Sequence, residues 1–224
     1  MVSLAASANV FSHTIHTQFP SDIDANGKYV FYSHGFIVEG TNPKPVDKRH
    51  GWGLYDFPAV KQALSDSSHE LIAYHRPKGT DPYEFSYKLA SDVRRLVRAG
   101  VAPENITLIG FSRGAFITAL TSHNLANVEV NTVLLAGCGR FASDRYKNMS
   151  LYGRALSIYE TTDASSTCKK LETRSPELQS FDEIAITTGL SHGAFYRPLD
   201  EWVKPIKTWI KRHSVNPNNG SYSK

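Results

Sequence analysis

The feature that most constrains the fold is an alternation of short apolar runs with longer segments of helical periodicity. The runs are rich in β-branched and aromatic residues, which is typical of buried strands. They cover residues 29–33, 71–74, 106–111, 132–137, 155–160 and 183–187. Helical spacing predicts helices over 55–66, 83–99, 113–126 and 198–213. Because these segments are long enough for crossovers, the pattern predicts the α/β class, with a mostly parallel, twisted sheet of about six core strands and helices on both faces.

Length and composition fit one globular domain. The chain has 224 residues, of which 41% are hydrophobic and 21% charged, which is enough apolar surface for a sizeable core. We expect an N-terminal extension over 1–28 that combines a signal remnant with an edge segment, a single domain over 29–213 and a flexible tail over 214–224. The formal net charge of +4 is too small to indicate a dedicated nucleic-acid binder.

Two features bear on location. No apolar run approaches the roughly 18 residues needed to span a bilayer, so no membrane span is predicted. The small residues at 6–8 resemble the end of a secretory signal, although 1–28 lacks a basic start and a full apolar stretch. We therefore favour a secreted or periplasmic protein slightly over a cytoplasmic one. Cys138 and Cys168 both follow predicted strands, which leaves two interpretations, a single disulfide bridge or two unrelated buried thiols.

A serine stands where a predicted strand meets a predicted helix. The sequence Gly-Phe-Ser-Arg-Gly over 110–114 follows the strand at 106–111 and opens the helix at 113–126. A G-x-S-x-G match is weak alone, but in this position it places the serine on a strained turn whose flanking glycines leave it room. Ser112 is therefore the candidate nucleophile, and the start of the helix offers free N–H groups to a developing oxyanion.

A serine nucleophile needs a base at the same, carboxyl-terminal edge of the sheet. His192 follows the last predicted strand among small residues and comes after Ser112 in the chain. His75 is the main rival, because it also ends a predicted strand. The order of the chain favours His192 as the base.

The base needs a carboxylate that orients its ring, on a loop between serine and histidine. Asp163 lies just past the strand at 155–160 and is our choice. Asp144, after the preceding strand, and Glu160 remain alternatives. The predicted catalytic set is thus Ser112, Asp163 and His192.

The order Ser112, Asp163, His192, together with Ser-His-Gly-Phe at 33–36 after an early strand, resembles the α/β-hydrolase superfamily. The resemblance covers most of 29–213 and implies a small, lidless, serine esterase-like member. It also implies that the backbone N–H groups of Phe36 and Arg113 form the oxyanion hole. His34 would then be a structural support and not the base.

The resemblance implies acyl transfer to water, and the sequence leaves the acyl group open. The predicted substrate contacts are Gly35, Ile37, His75, Arg76 and Phe195. Other residues expected at the mouth are Arg140, Phe141 and Tyr146. This mixed apolar and basic rim would accept carboxylic esters of short or medium acyl chains, a small-molecule substrate. A lidless, accessible site favours a carboxylesterase over a lipase that needs interfacial opening.

Alternatives to this function stay open. They are a thioesterase, lipase or peptidase on the same residues, or a catalytically silent binding module with the same fold. The chain has no H-E-x-x-H metal motif, phosphate loop or dinucleotide-binding glycine set, so we expect no cofactor and no metal. Nothing in the sequence indicates the oligomeric state.

Overall fold

The computed structural model describes residues 14–126, 128–139 and 148–214. Its strands are β1 (Ile15–His16), β2 (Tyr29–Ser33), β3 (Val46–Asp47), β4 (Gly53–Leu54), β5 (Glu70–Ile72), β6 (Ile106–Phe111), β7 (Asn131–Leu135), β8 (Gly153–Glu160) and β9 (Leu178–Ile186). Its α-helices are α1 (Phe57–Leu64), α2 (Pro82–Arg98), α3 (Arg113–Leu125), α4 (Lys169–Thr173) and α5 (Asp200–His213). Short 3₁₀ helices cover Phe36–Val38, Pro103–Asn105 and Ser191–Tyr196.

Seven strands form one sheet in the order β1-β5-β2-β6-β7-β8-β9, and every neighbouring pair is parallel. The predicted fold class is therefore confirmed. The six predicted strands correspond to β2 and β5 to β9, with ends shifted by up to five residues, as at the start of β9. The seventh strand, β1, lies at the sheet edge beside β5, inside the segment that the sequence assigned to an N-terminal extension.

Both faces of the sheet are buried, which explains why the central strands are continuous apolar runs. All residues of β2, β6 and β7 are buried, as expected for strands covered on both sides. Val30 and Tyr32 pack into a cluster with residues of α1 and α5, whereas Tyr29 and Phe31 pack against residues of α2. The strand alternation therefore supplies one core on each face.

Helices α1 and α2 begin at capping aspartates, Asp56 and Asp81. At the start of α2, the Asp81 carboxylate accepts hydrogen bonds from the N–H groups of Tyr83 and Glu84, and Pro82 occupies the first turn. These contacts satisfy donors that a helix start leaves unpaired. The helix ends before Gly100, whose φ of +98° suits glycine.

Strands β3 and β4 form a separate antiparallel hairpin that the sequence pattern did not predict. Two-residue strands are too short to show a period of two. In the described part of the chain, no helix is both long and apolar enough to cross a bilayer.

Candidate active site

The predicted catalytic residues all lie at one edge of the sheet. Ser112 follows β6, Asp163 follows β8, and His192 follows β9 within the 3₁₀ helix Ser191–Tyr196. Since these strands are parallel, their carboxyl ends meet at the same edge. The fold thus brings residues far apart in sequence onto neighbouring loops.

Ser112 lies on a strained turn. Its backbone angles are φ 54° and ψ −116°, a conformation that is rare for a residue with a side chain. The turn is held by the Ser112 N–H, which donates to the Leu135 carbonyl at 2.9 Å. Strain that is fixed by the surrounding structure is common at functional sites.

The two flanking glycines are required by space. A Cβ atom at Gly110 would lie 2.3 Å from the Gly114 carbonyl oxygen, and one at Gly114 would lie 1.9 Å from the Ser33 carbonyl oxygen. No side chain fits at either position without moving backbone. The G-x-S-x-G pattern therefore reflects close packing of α3 onto β2 and β6.

Asp163 and His192 form a short hydrogen bond. His192 Nδ1 donates to Asp163 Oδ2 at 2.6 Å, and Asp163 Oδ1 accepts from the Ser165 N–H at 3.0 Å. Both side chains are largely buried, with 13% of the surface of His192 and 5% of that of Asp163 exposed. This arrangement fixes the ring and leaves Nε2 as the nitrogen available to a reacting group.

His192 also lies beside the turn that carries the serine. The ring of Phe111, the residue before Ser112, has its centroid 4.8 Å from that of His192. Among the described residues, neither the Ser112 hydroxyl nor His192 Nε2 has a hydrogen-bond partner. In ligand-free sites the hydrogen bond between nucleophile and base is often long and tightens only when substrate binds.

Glu160 connects the loop of Asp163 to the loop of His192. Its Oε2 accepts from the N–H and the hydroxyl of Thr162, both at 2.6 Å, and its Oε1 accepts from the N–H groups of Thr188 and Gly189 at 2.9 and 3.0 Å. Burial acts to raise the pKa of Glu160, but these hydrogen bonds outweigh it and lower the pKa to about 2. Because its oxygens are occupied by these loops, Glu160 is a support of the site. Asp144, the other alternative carboxylate, lies outside the described residues.

The predicted oxyanion donors each lie at the first position of a helix. Phe36 opens the 3₁₀ helix Phe36–Val38, and Arg113 opens α3, so their N–H groups have no acceptor within the helix. The preceding Gly35 is extended and packs closely on Phe111, since a Cβ there would lie 2.9 Å from Phe111 Cε1. The Gly35 N–H donates to the Tyr55 hydroxyl at 3.4 Å.

His34 is buried and neutral. Burial, with the nearby charge of Arg76, lowers the pKa of His34 well below its usual range. In the neutral ring, Nδ1 donates to the Gly35 carbonyl at 2.8 Å, and Nε2 accepts from the Arg76 N–H at 3.0 Å. The ring therefore braces the backbone on which Phe36 lies.

Of the five predicted substrate contacts, Gly35 is buried beside Phe111, and the other four divide into two groups. Ile37 and His75 form the first group, since both are half-buried and keep some exposed surface. His75 Nε2 donates to the Val38 carbonyl at 2.7 Å. Arg76 and Phe195 are instead in the interior, with 1% and 0% of their surface exposed. The prediction that these two contact substrate needs correction, because a position after a strand does not determine where a side chain points. Arg140, Phe141 and Tyr146 lie outside the described residues.

Sequence reasoning missed Trp52. This residue lies in the hairpin of β3 and β4, and its ring centroid is 4.9 Å from His192 and 4.2 Å from His50. It is flanked by Gly51 and Gly53, both with positive φ. An aromatic residue between two glycines indicates a ring at a tight turn of the chain. That pattern does not indicate that the ring lies near His192.

Cys138 and Cys168 form a disulfide bridge, which confirms the first of the two interpretations of the sequence. Cys138 follows β7, and Cys168 precedes α4. The bridge therefore joins two loops at the edge of the sheet that carries Asp163. In the same described ranges, no group of three or more His, Cys, Asp and Glu residues could hold a metal ion.

No protein-family model and no curated protein sequence matches the chain. Solved structures do match it. SOBER1 of Arabidopsis thaliana is 14% identical with a TM-score of 0.54, and the match covers 83% of this chain and 98% of that one. The RedJ thioesterase of the prodiginine biosynthetic pathway in Streptomyces coelicolor is 10% identical with a TM-score of 0.53, covering 84% and 90%. A lipase-esterase related protein from Clostridium acetobutylicum is 15% identical with a TM-score of 0.53, covering 85% and 96%. At these identities the likeness is one of fold.

Proposed function

The chain has the α/β-hydrolase fold, and from this premise we propose that it is a serine hydrolase that cleaves carboxylic esters of short or medium acyl chains. The observation that carries the proposal is the hydrogen bond from His192 to Asp163 beside the strained turn of Ser112. Fold alone does not determine activity. A histidine oriented by a buried carboxylate next to a strained serine is an arrangement with a specific chemical use.

The reaction would begin with attack of Ser112 Oγ on the ester carbonyl carbon while His192 Nε2 accepts the hydroxyl proton. The carbonyl oxygen becomes an oxyanion, which the N–H groups of Phe36 and Arg113 stabilise by about 3 to 4 kcal/mol per donor. His192 then gives its proton to the leaving alcohol oxygen as the C–O bond breaks. Water repeats the cycle on the acyl-enzyme and releases the acid.

Asp163 would act on His192 and not on the substrate. Its carboxylate holds Nδ1 protonated, so that Nε2 is the basic nitrogen, and it stabilises the imidazolium that forms during attack. Glu160 would support both residues, because its oxygens join their two loops.

A thioesterase is the second candidate. It is favoured by the likeness to the RedJ thioesterase, and the same serine, histidine and oxyanion donors would serve a thioester carbonyl. The remaining alternatives are a lipase, a peptidase and a catalytically silent binding module. Phe36 at the candidate mouth is 60% exposed, and its ring is apolar surface that the acyl chain of a substrate can contact.

The experiment is a panel of p-nitrophenyl esters of increasing acyl length, assayed beside a thioester and an amide. We expect the highest kcat/KM on short or medium esters and a fall in kcat of about 10³- to 10⁴-fold in Asp163→Asn. The matched control is Asp200→Asn, which removes an exposed carboxylate paired with Lys204 and should leave kcat unchanged. A folded wild-type protein that cleaves none of these substrates would favour the binding module.

A further inference from the structure

A buried carboxylate lies directly behind the candidate oxyanion hole. Glu39 follows the 3₁₀ helix that begins at Phe36, and its side chain is 2% exposed. Its Oε1 is 3.0 Å from Arg113 Nε and 3.5 Å from Arg76 Nε. We call Glu39, Arg76 and Arg113 the Glu39 cluster.

The first arm of the cluster connects the two predicted oxyanion donors. Arg113 supplies one donor from its backbone, and its guanidinium lies 5.1 Å over the ring of Phe36, whose backbone supplies the other. The same guanidinium donates to the Thr80 carbonyl at 2.7 Å. One side chain therefore contacts the segment of Phe36 while it is ion-paired to Glu39.

The second arm anchors the backbone before and after the donor segment. Arg76 Nη2 donates to the His34 carbonyl, and the Arg76 N–H donates to the His34 ring at 3.0 Å. The Arg76 carbonyl accepts from the Gly40 N–H at 3.0 Å. The segment from His34 to Gly40, with Phe36 near its middle, is thus fixed to one buried arginine.

Stability alone does not account for this cluster. Buried ion pairs lose much of their attraction to desolvation, and packed apolar residues often replace them without loss. Here the network is incomplete, since within the described residues Glu39 Oε2 and Arg76 Nη1 are buried without hydrogen-bond partners. An incompletely satisfied buried network costs stability. A role in positioning the neighbouring backbone donors explains the cluster better than stability does.

We propose that Glu39 is a positioning residue, whose carboxylate holds Arg76 and Arg113 so that the backbone donors of Phe36 and Arg113 converge on one oxyanion. This proposal rests on the proposed function. Glu39 acts through the two arginines and has no contact with substrate. Displacing a donor by about 1 Å is enough to lower kcat by about 100-fold.

Charge and geometry predict opposite effects in Glu39→Gln. Burial lowers the pKa of Arg76 to about 10, against the raising effect of Glu39, so Arg76 is charged near neutral pH. The cluster sets two arginines against one carboxylate. Removing the Glu39 charge would add to the positive potential at the oxyanion and raise kcat if charge alone mattered. The positioning role predicts a fall in kcat instead.

The test compares Glu39→Gln and Glu39→Asp with wild type on the most active p-nitrophenyl ester, with inhibition by a boronic acid as a probe of oxyanion binding. We expect kcat of Glu39→Gln to fall by about 10- to 100-fold with KM within about 3-fold. The affinity for the boronic acid should fall with kcat, and Glu39→Asp should lie between Glu39→Gln and wild type. The matched control is Asp92→Asn, which alters a buried carboxylate of α2 bound to Lys88 and Tyr74. This variant should lower Tm without lowering kcat or the affinity for the boronic acid.

Where the wild type is active, three results would overturn the proposal. One is an unchanged or raised kcat in folded Glu39→Gln, and another is a loss that Asp92→Asn reproduces. If Glu39→Gln does not fold, Glu39→Asp decides, and wild-type kcat and boronic acid affinity in that variant would refute the role. A wild type that cleaves no ester overturns the proposed function together with this proposal, whereas an active wild type with an unaffected Glu39→Gln overturns only the role of Glu39.

Discussion

Replacing Glu160 with glutamine should destabilise the protein in a way that depends on pH. The variant Glu160→Gln keeps the size of the side chain and removes the charge that accepts hydrogen bonds from Thr162, Thr188 and Gly189. The NH₂ group of the glutamine side chain would also face some of these backbone N–H groups, and two donors cannot form a hydrogen bond with each other. The loops of Asp163 and His192 lose their common acceptor as a result.

The size of the effect follows from the pKa. The pKa of Glu160 falls from 4.5 to about 2 in the folded protein, because the hydrogen bonds outweigh the opposing effect of burial. At about 1.4 kcal/mol per pKa unit, the charged form contributes about 3 kcal/mol to the free energy of unfolding. Since the folded pKa is the lower one, this contribution is complete above pH 4.5 and is lost as the pH falls through about 2.

The assay is urea unfolding of wild type and Glu160→Gln from pH 7 to pH 3. We expect a difference of about 3 kcal/mol at pH 7 that narrows steadily below pH 4.5. The control Glu172→Gln removes a partly exposed carboxylate paired with Lys169 and should change little at any pH. Equal stability of the two proteins at pH 7, or a difference that persists in acid, would refute the reasoning.

Two further substitutions test the framework of the site. Gly114→Ala should abolish folding or cost at least about 3 kcal/mol by denaturant unfolding, because its Cβ would lie 1.9 Å from the Ser33 carbonyl oxygen. The control is Gly139→Ala, whose Cβ would lie 3.5 Å from Ser165 Oγ, the nearest contact within the described residues, and equal stabilities of the two variants would contradict the clash. Replacing both Cys138 and Cys168 by serine should cost about 3 to 4 kcal/mol, since the bridge closes a separation of 30 residues, and an unchanged Tm would contradict this.

Much of the fold was predictable because its signals are local. The strand at 106–111 and the helix after it are continuous in sequence, and the glycines at 110 and 114 show where the chain must turn tightly. From this turn, the parallel topology determines which later loops lie at the same edge. That is why Asp163 and His192, predicted from their positions after strands, are in contact.

The parts that were not predicted depend on contacts between distant segments. Glu39, Arg76 and Arg113 are ordinary charged residues in the sequence, and only the fold buries them together. Arg76 and Phe195 lie in segments that follow strands, as expected, but their side chains are in the interior. The position of Trp52 over His192 requires a hairpin whose strands are too short to leave a pattern.

The most direct test of the account is covalent labelling of Ser112. The folded protein is treated with a fluorophosphonate, and the adduct is mapped by mass spectrometry, with Ser112→Ala and heat-unfolded wild type as controls. We expect one adduct on Ser112, which is absent from both controls and forms much more slowly in His192→Ala. Folded protein with no label on Ser112, or with the label on another residue, would contradict the claim that this serine is an activated nucleophile.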